Sequence, residues 1–168
     1  MHPRTDGILE SSLYVSDLAR SVRFYQETFG FGVISEFGER GCAMHAGARQ
    51  VLLLFKRGAS RATPTPHDGD GELHLAFAIT SAELSNWEAW LAERGIAIEE
   101  KKKWDLGGWS LYFRDPDRHL IELATPGTWT VYWCIEDSRA RGPSRLHWDA
   151  GQRDAKDAPA VGPGNHFS

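Results

Sequence analysis

Two stretches of the chain alternate apolar and polar residues with the two-residue period of a half-buried strand: "ILESSLYV" at 8–15 and "ELHLAFAI" at 72–79. Each runs directly into a helix-start signal. After the first, Ser16 or Asp17 is placed to cap a helix whose Leu18, Val22, Tyr25 and Phe29 share one face, and Gly30 stops it. After the second, Thr80 and Glu83 have capping-box spacing, Leu84, Trp87 and Leu91 form the apolar stripe, and Gly95 ends the helix. Three strand-like runs follow each helix, at 31–37, 42–46 and 50–56 and again at 97–104, 109–114 and 119–125. The glycines of "EFGERG", "HAGAR" and "DLGG" separate them, and Asp115 with Pro116 suits the first two places of a type I turn.

Residues 8–57 laid over 72–125 give the same order of elements, with an offset of 64 between the first strands. The chain therefore reads as a tandem duplication of class α+β: two βαβββ modules, 7–57 and 72–126, forming one domain over 7–126. Residues 58–71, rich in Pro, Gly and Ser, read as a connector and not as a packed element. Residues 127–168 are an extra tail. Its start, "GTWTVYWCIED", is fit to add a strand or pack aromatics onto the body, whereas 138–168 are polar and aperiodic and are expected to be disordered.

With 168 residues and 41% hydrophobic content, the chain can bury one ordinary core but not two large ones. A net charge of -4 and a pI near 6.0 leave no basic surplus for nucleic acid or an anionic membrane, so a small molecule is the expected partner. Cys42 and Cys134 form neither a disulfide framework nor a CxxC motif, which fits a reducing compartment. "MHPRTDGILESS" lacks the apolar region of a signal peptide, and no run approaches the roughly twenty apolar residues of a membrane span. The expectation is a soluble, cytoplasmic protein.

Strand alternation puts Glu10, Ser12 and Tyr14 on one face and His74, Ala76 and Ala78 on the matching face of the second module. Glu10 and His74 are equivalent under the repeat. In "HLIELAT", Glu122 stands between Leu120 and Ala124 on one face, and its first-module equivalent is Leu53. Charged or polar residues in strand interiors are costly to bury alone, and a divalent cation would partner Glu10, His74 and Glu122 together. Two carboxylates and an imidazole suit Zn, Mn, Fe, Co or Ni. The ordinary reading of the same residues is a hydrogen-bonded histidine and solvent-facing glutamates. Tyr14, His45, Trp109 and Tyr112 are candidates to line a substrate pocket, with core packing as the alternative. His67, in the connector, and His119, beside a turn, are expected at the surface, and Trp87, Trp90 and Trp104 in or next to the second module's core.

"LYVSDLARSVRFYQETFGF", "HLAFAI" and "GWSLYFRDPDRHLIELATP" together resemble the vicinal oxygen chelate superfamily, the glyoxalase, bleomycin-resistance and dioxygenase group, over about residues 7–130. The resemblance implies paired βαβββ modules whose mixed sheets curve around a metal-holding groove, often completed across a homodimer. It implies ligand positions at Glu10, Leu53, His74 and Glu122, of which Leu53 cannot ligate. Glu10 stands where extradiol dioxygenases and fosfomycin-resistance enzymes carry histidine, and "DPDRH" replaces the usual "DPxGN" with Arg118 and His119. Three functions follow from it. The first is a metal-dependent lyase or isomerase of the glyoxalase type, with Glu10 as its base and a substrate that chelates through neighbouring oxygens. The second is a metal-free binding protein like the bleomycin-resistance members. The third, a ring-cleaving dioxygenase, is disfavoured by Glu10.

Overall fold

The computed structural model describes residues 2–132, and in it each module closes a four-stranded sheet of its own. In the first, β1 (Glu10–Val15), α1 (Leu18–Phe29), β2 (Val33–Glu36), β3 (Gly41–His45) and β4 (Val51–Lys56) give the strand order β1-β4-β3-β2. In the second, β5 (His74–Ala78), α2 (Leu84–Glu93), β6 (Ile98–Lys103), β7 (Trp109–Arg114) and β8 (Leu120–Ala124) give β5-β8-β7-β6. The three strands after each helix form an antiparallel meander through short turns, and the strand before the helix pairs in parallel with the last one. That parallel pairing is possible because the helix and meander supply the long crossover it needs. The repeat extends to register: Leu53 lies opposite Ser12 and Glu122 opposite Ala76, and both meanders shift register at the same place, Val33/Ser35 and Ile98/Glu100. The α+β class and the paired βαβββ modules are as the sequence predicts.

Of the two candidate caps for α1, Asp17 is the one used: its side chain accepts from the Arg20 N–H, and Gly30 ends the helix in the left-handed region at φ 70°. The second helix starts differently. A 3-10 turn, Ser81–Glu83, comes first, which places Thr80 too far ahead of Leu84 to cap it, and the Thr80 side chain makes no cap hydrogen bond. The capping box is therefore not formed, and Glu83 accepts from the Asn86 amide instead.

Leu13 and Val15 of β1, Leu52 and Leu54 of β4, Tyr25 of α1, Leu91 of α2, and Leu111, Phe113, Ile121 and Leu123 of the second sheet form one buried cluster. Both sheets thus turn one face into a shared core, each fully buried large side chain contributing about 1.5–3 kcal/mol. Phe29 joins the modules, its ring 4.9 Å from Phe77 and 5.4 Å from Trp87. By strand alternation, the faces that carry Glu10 and His74 point away from this core.

The connector, expected to be unpacked, instead folds onto the first sheet. His67 is half-buried, its ring 4.6 Å from Phe55 and its Nδ1 2.9 Å from the Tyr14 hydroxyl. Gly69 makes this approach possible, because a Cβ there would lie 2.5 Å from Tyr14 Cδ2. His119, also expected at the surface, is fully buried. Its Nδ1 accepts from the Leu73 N–H and its Nε2 donates to the Tyr14 carbonyl, both at 3.0 Å, so a neutral imidazole ties β1 to the start of β5. A connector position and a turn position, both among polar residues, hid two rings: His67, which bonds the Tyr14 hydroxyl, and His119, which satisfies two backbone groups. Trp87 is half-buried at the core, whereas Trp90 is partly exposed and donates to the Thr28 carbonyl.

After the second module, the Tyr132 hydroxyl donates to the Ile79 carbonyl. Residues 133–168, with Cys134 and the expected disorder of 138–168, lie outside the described residues. Among the described residues no helix is long and apolar enough to cross a membrane.

Candidate metal centre

β5 and β8 run parallel with Ala76 opposite Glu122, so His74 stands one step before Glu122 on the same face. The imidazole spans that step: His74 Nε2 lies 3.0 Å from Glu122 Oε2. Ala76, the cross-strand neighbour, adds no bulk between them. Glu122 is 5% exposed, whereas the His74 side chain is about half exposed at 52%. The pair therefore consists of a buried carboxylate and a ring that opens toward solvent.

The other carboxylate oxygen is already occupied. Ser110 Oγ donates a short hydrogen bond to Glu122 Oε1, and the Tyr112 hydroxyl donates to the same atom at 3.0 Å. Behind them, Trp104 Nε1 donates to Ser110 Oγ at 2.8 Å. Ser110 and Tyr112 lie two apart on β7, so alternation directs both at Glu122 on the adjoining strand. Burial, opposed by the hydrogen bond with Ser110 and reinforced by the negative Glu122, holds the Tyr112 hydroxyl above its ordinary pKa, which keeps it a donor.

The first sheet carries the remaining candidates. Glu10 opens β1 and is exposed, beside Val51, with His45 across that strand in the same row and also exposed. Leu53, at the place of Glu122, packs with Ala43 and Phe55, and nothing there can ligate. Tyr14 stands four residues beyond Glu10, roughly 13 Å along the strand, under His67. Trp109 lies on the face of β7 opposite Ser110 and Tyr112, with Lys101 Nζ 5.1 Å from its ring centre. The structure thus brings together His74, Glu122 and Tyr112, and separates them from Glu10, Tyr14 and His45 on the other sheet.

The donor chemistry fits a divalent ion of borderline hardness at His74 and Glu122: one nitrogen and one oxygen converge while the second oxygen is saturated. The fit is partial within one chain. Among the described residues no group of three His, Cys, Asp or Glu is arranged to hold a metal. Ser110 and Trp104 are site residues beyond those the sequence singles out; the polar face of "WSLY", with Ser110 and Tyr112 two apart, is the signal for the first of them.

Comparison with known proteins places the chain in a family. The family model for the Glyoxalase/Bleomycin resistance protein/Dioxygenase superfamily matches residues 7–123. The chain is 34% identical over 128 residues to the virulence protein STM3117 of Salmonella typhimurium, covering 71% of this chain and 83% of that protein. It is 29% identical over 120 residues to the metallothiol transferase FosB of Staphylococcus epidermidis, with the same 71% and 83% coverage. The crystal structure of a lactoylglutathione lyase from Agrobacterium tumefaciens superposes with a TM-score of 0.72 at 27% identity, covering 76% of this chain and 99% of that one. Over both modules, the chain is a member of the Glyoxalase/Bleomycin resistance protein/Dioxygenase superfamily.

Proposed function

We propose that this protein is a divalent-metal-dependent enzyme of the glyoxalase type, acting on a small molecule that presents two neighbouring oxygens. The observation that carries the reading is the Glu122 carboxylate, buried, with Oε1 saturated by Ser110 and Tyr112 and Oε2 converging with His74 Nε2 on an open sheet face. Glu10 of a second copy of the chain supplies the third ligand, because the faces carrying Glu10 and His74 both point outward and a two-fold dimer can set one against the other. When bound, a dication there polarises chelated oxygens and stabilises the negative charge that develops on them. His74 and Glu122 hold their positions throughout. Glu10, the exposed member, would act as the base on leaving the ion, taking the proton from one carbon and returning it to the adjacent one. Leu53 leaves a fourth ligand position apolar, so three protein ligands leave room for a substrate to chelate.

The relatives named as a metallothiol transferase and a lactoylglutathione lyase support a metal and point the first substrate panel at thiol adducts and thiol acceptors bearing vicinal oxygens. A second reading, a metal-free binding protein, is favoured by Leu53 and by the two-donor set within one chain.

Elemental analysis of protein purified without added metal or a histidine tag separates the two readings. The enzyme reading expects near-stoichiometric transition metal in wild type, lost in His74→Ala and in Glu122→Ala. Wild type that stays metal-free after incubation with Mn, Fe, Co, Ni and Zn would overturn it.

A further inference from the structure

We infer that Trp104, acting through Ser110, is a positioning residue that holds Glu122 as a one-oxygen ligand; the inference rests on the metal reading above. The indole N–H donates to Ser110 Oγ, which leaves that hydroxyl's own proton directed at Glu122 Oε1. A serine hydroxyl without a donor behind it rotates among three staggered wells, and the indole selects one. With Ser110 and Tyr112 both on Oε1, the carboxylate cannot turn to offer that atom, and only Oε2 faces His74.

The indole is itself fixed. The Trp104 backbone closes the turn into β7 by bonding Gly108 and Gly107, each at 2.9 Å. Its ring lies 6.1 Å from that of Trp129, tilted by 33°, and Lys102 Nζ sits 4.0 Å from its centre. Gly108 lets residues 127–129 lie against this turn, since a Cβ there would be 2.3 Å from the Thr128 nitrogen. A segment outside the duplicated modules therefore braces the ligand's support.

The first module supplies an internal comparison. The registers make Ser110 equivalent to Gly41 and Tyr112 equivalent to Ala43. Where the ligand position is Leu53, both support positions have lost their donors. Where it is Glu122, both are present. The donors follow the carboxylate: any buried carboxylate needs partners, and here both partners fall on one oxygen and leave Oε2 to His74.

The test is calorimetric titration of the metal-free full-length protein with Mn2+ and Zn2+. Trp104→Phe and Ser110→Ala should each weaken affinity within the roughly 10–100-fold range typical of such support groups, while Ser110→Thr, which keeps the hydroxyl, stays near wild type. Trp104→Phe combined with Ser110→Ala should bind as Ser110→Ala alone does, because Trp104 has no route to the ion except Ser110. Unchanged affinity in Trp104→Phe, or additive losses in the double variant, would overturn the inference while leaving the metal site standing. Wild type that binds neither ion would sink the metal reading and this inference with it.

Discussion

Arg118 holds a left-handed backbone, φ 67°, the only residue other than glycine to do so among the described residues. It closes the turn in which the Arg118 N–H bonds the Asp115 carbonyl, where an L-residue pays roughly 1–2 kcal/mol for that conformation. Its guanidinium pairs with Glu72 at 2.8 Å, but at the surface, where solvent screens such a pair and it adds little. Arg118→Gly and Arg118→Ala both lose the pair, and only the alanine keeps the strain. The glycine variant is expected to be about 1 kcal/mol more stable than the alanine variant in urea denaturation, and equal stability would show the turn to be unstrained. The departure from "DPxGN" was legible in the sequence; its backbone consequence, and the burial of its neighbour His119, were not. Burial depends on what the turn packs against, here Tyr14 from the other module, and no local pattern encodes that.

At the scale of elements, the turn between β7 and β8 locks onto α1. The Tyr25 hydroxyl donates to Asp115 Oδ2 at 3.0 Å, and Asp117 accepts from the Ser16 N–H, Ser21 Oγ and Arg20. Tyr25→Phe leaves a buried carboxylate oxygen one donor short and is expected to cost about 1–3 kcal/mol in chemical denaturation. Asp117 titrates the same joint. Burial draws its carboxyl upward, but the bonds from Ser16, Arg20 and Ser21 outweigh that, and its pKa lies below the ordinary aspartate value. A depressed folded pKa stabilises above the unfolded value and loses that contribution as pH falls through the folded one. Asp117→Asn should therefore cost about 1.5–3 kcal/mol near neutrality, with the gap to wild type closing below about pH 4. A gap that stays constant from neutral to acid pH would show that the charge of Asp117 contributes nothing. Strands, helices and the repeat were readable because period and caps are local signals. Even the start of α2 shows the limit, since Thr80 and Glu83 have the right spacing and a 3-10 turn moves the helix past them.

In the whole molecule the open question is which sheet face meets which, and strand period does not answer it, because alternation gives the same stripes whether a groove closes within one chain or between two. The structure supplies the missing direction. Leu13 and Val15 of one sheet and Leu111 and Phe113 of the other bury in a common core, so Glu10 and His74 look outward, and Ala76 and Ala78 expose small apolar surface beside His74. If a second copy completes the metal site, each site in the dimer takes Glu10 from one chain and His74 with Glu122 from the other. A heterodimer of Glu10→Ala with His74→Ala, assembled by co-expression with two different tags that lack histidine, then collects both lesions in one site and leaves the other intact. It should carry about one ion per dimer although both parent homodimers carry none. If the three residues instead assembled within one chain, each chain of that heterodimer would bear one lesion and both sites would be lost. Metal content of the purified heterodimer thus decides whether the subunit interface builds the site, independently of any substrate.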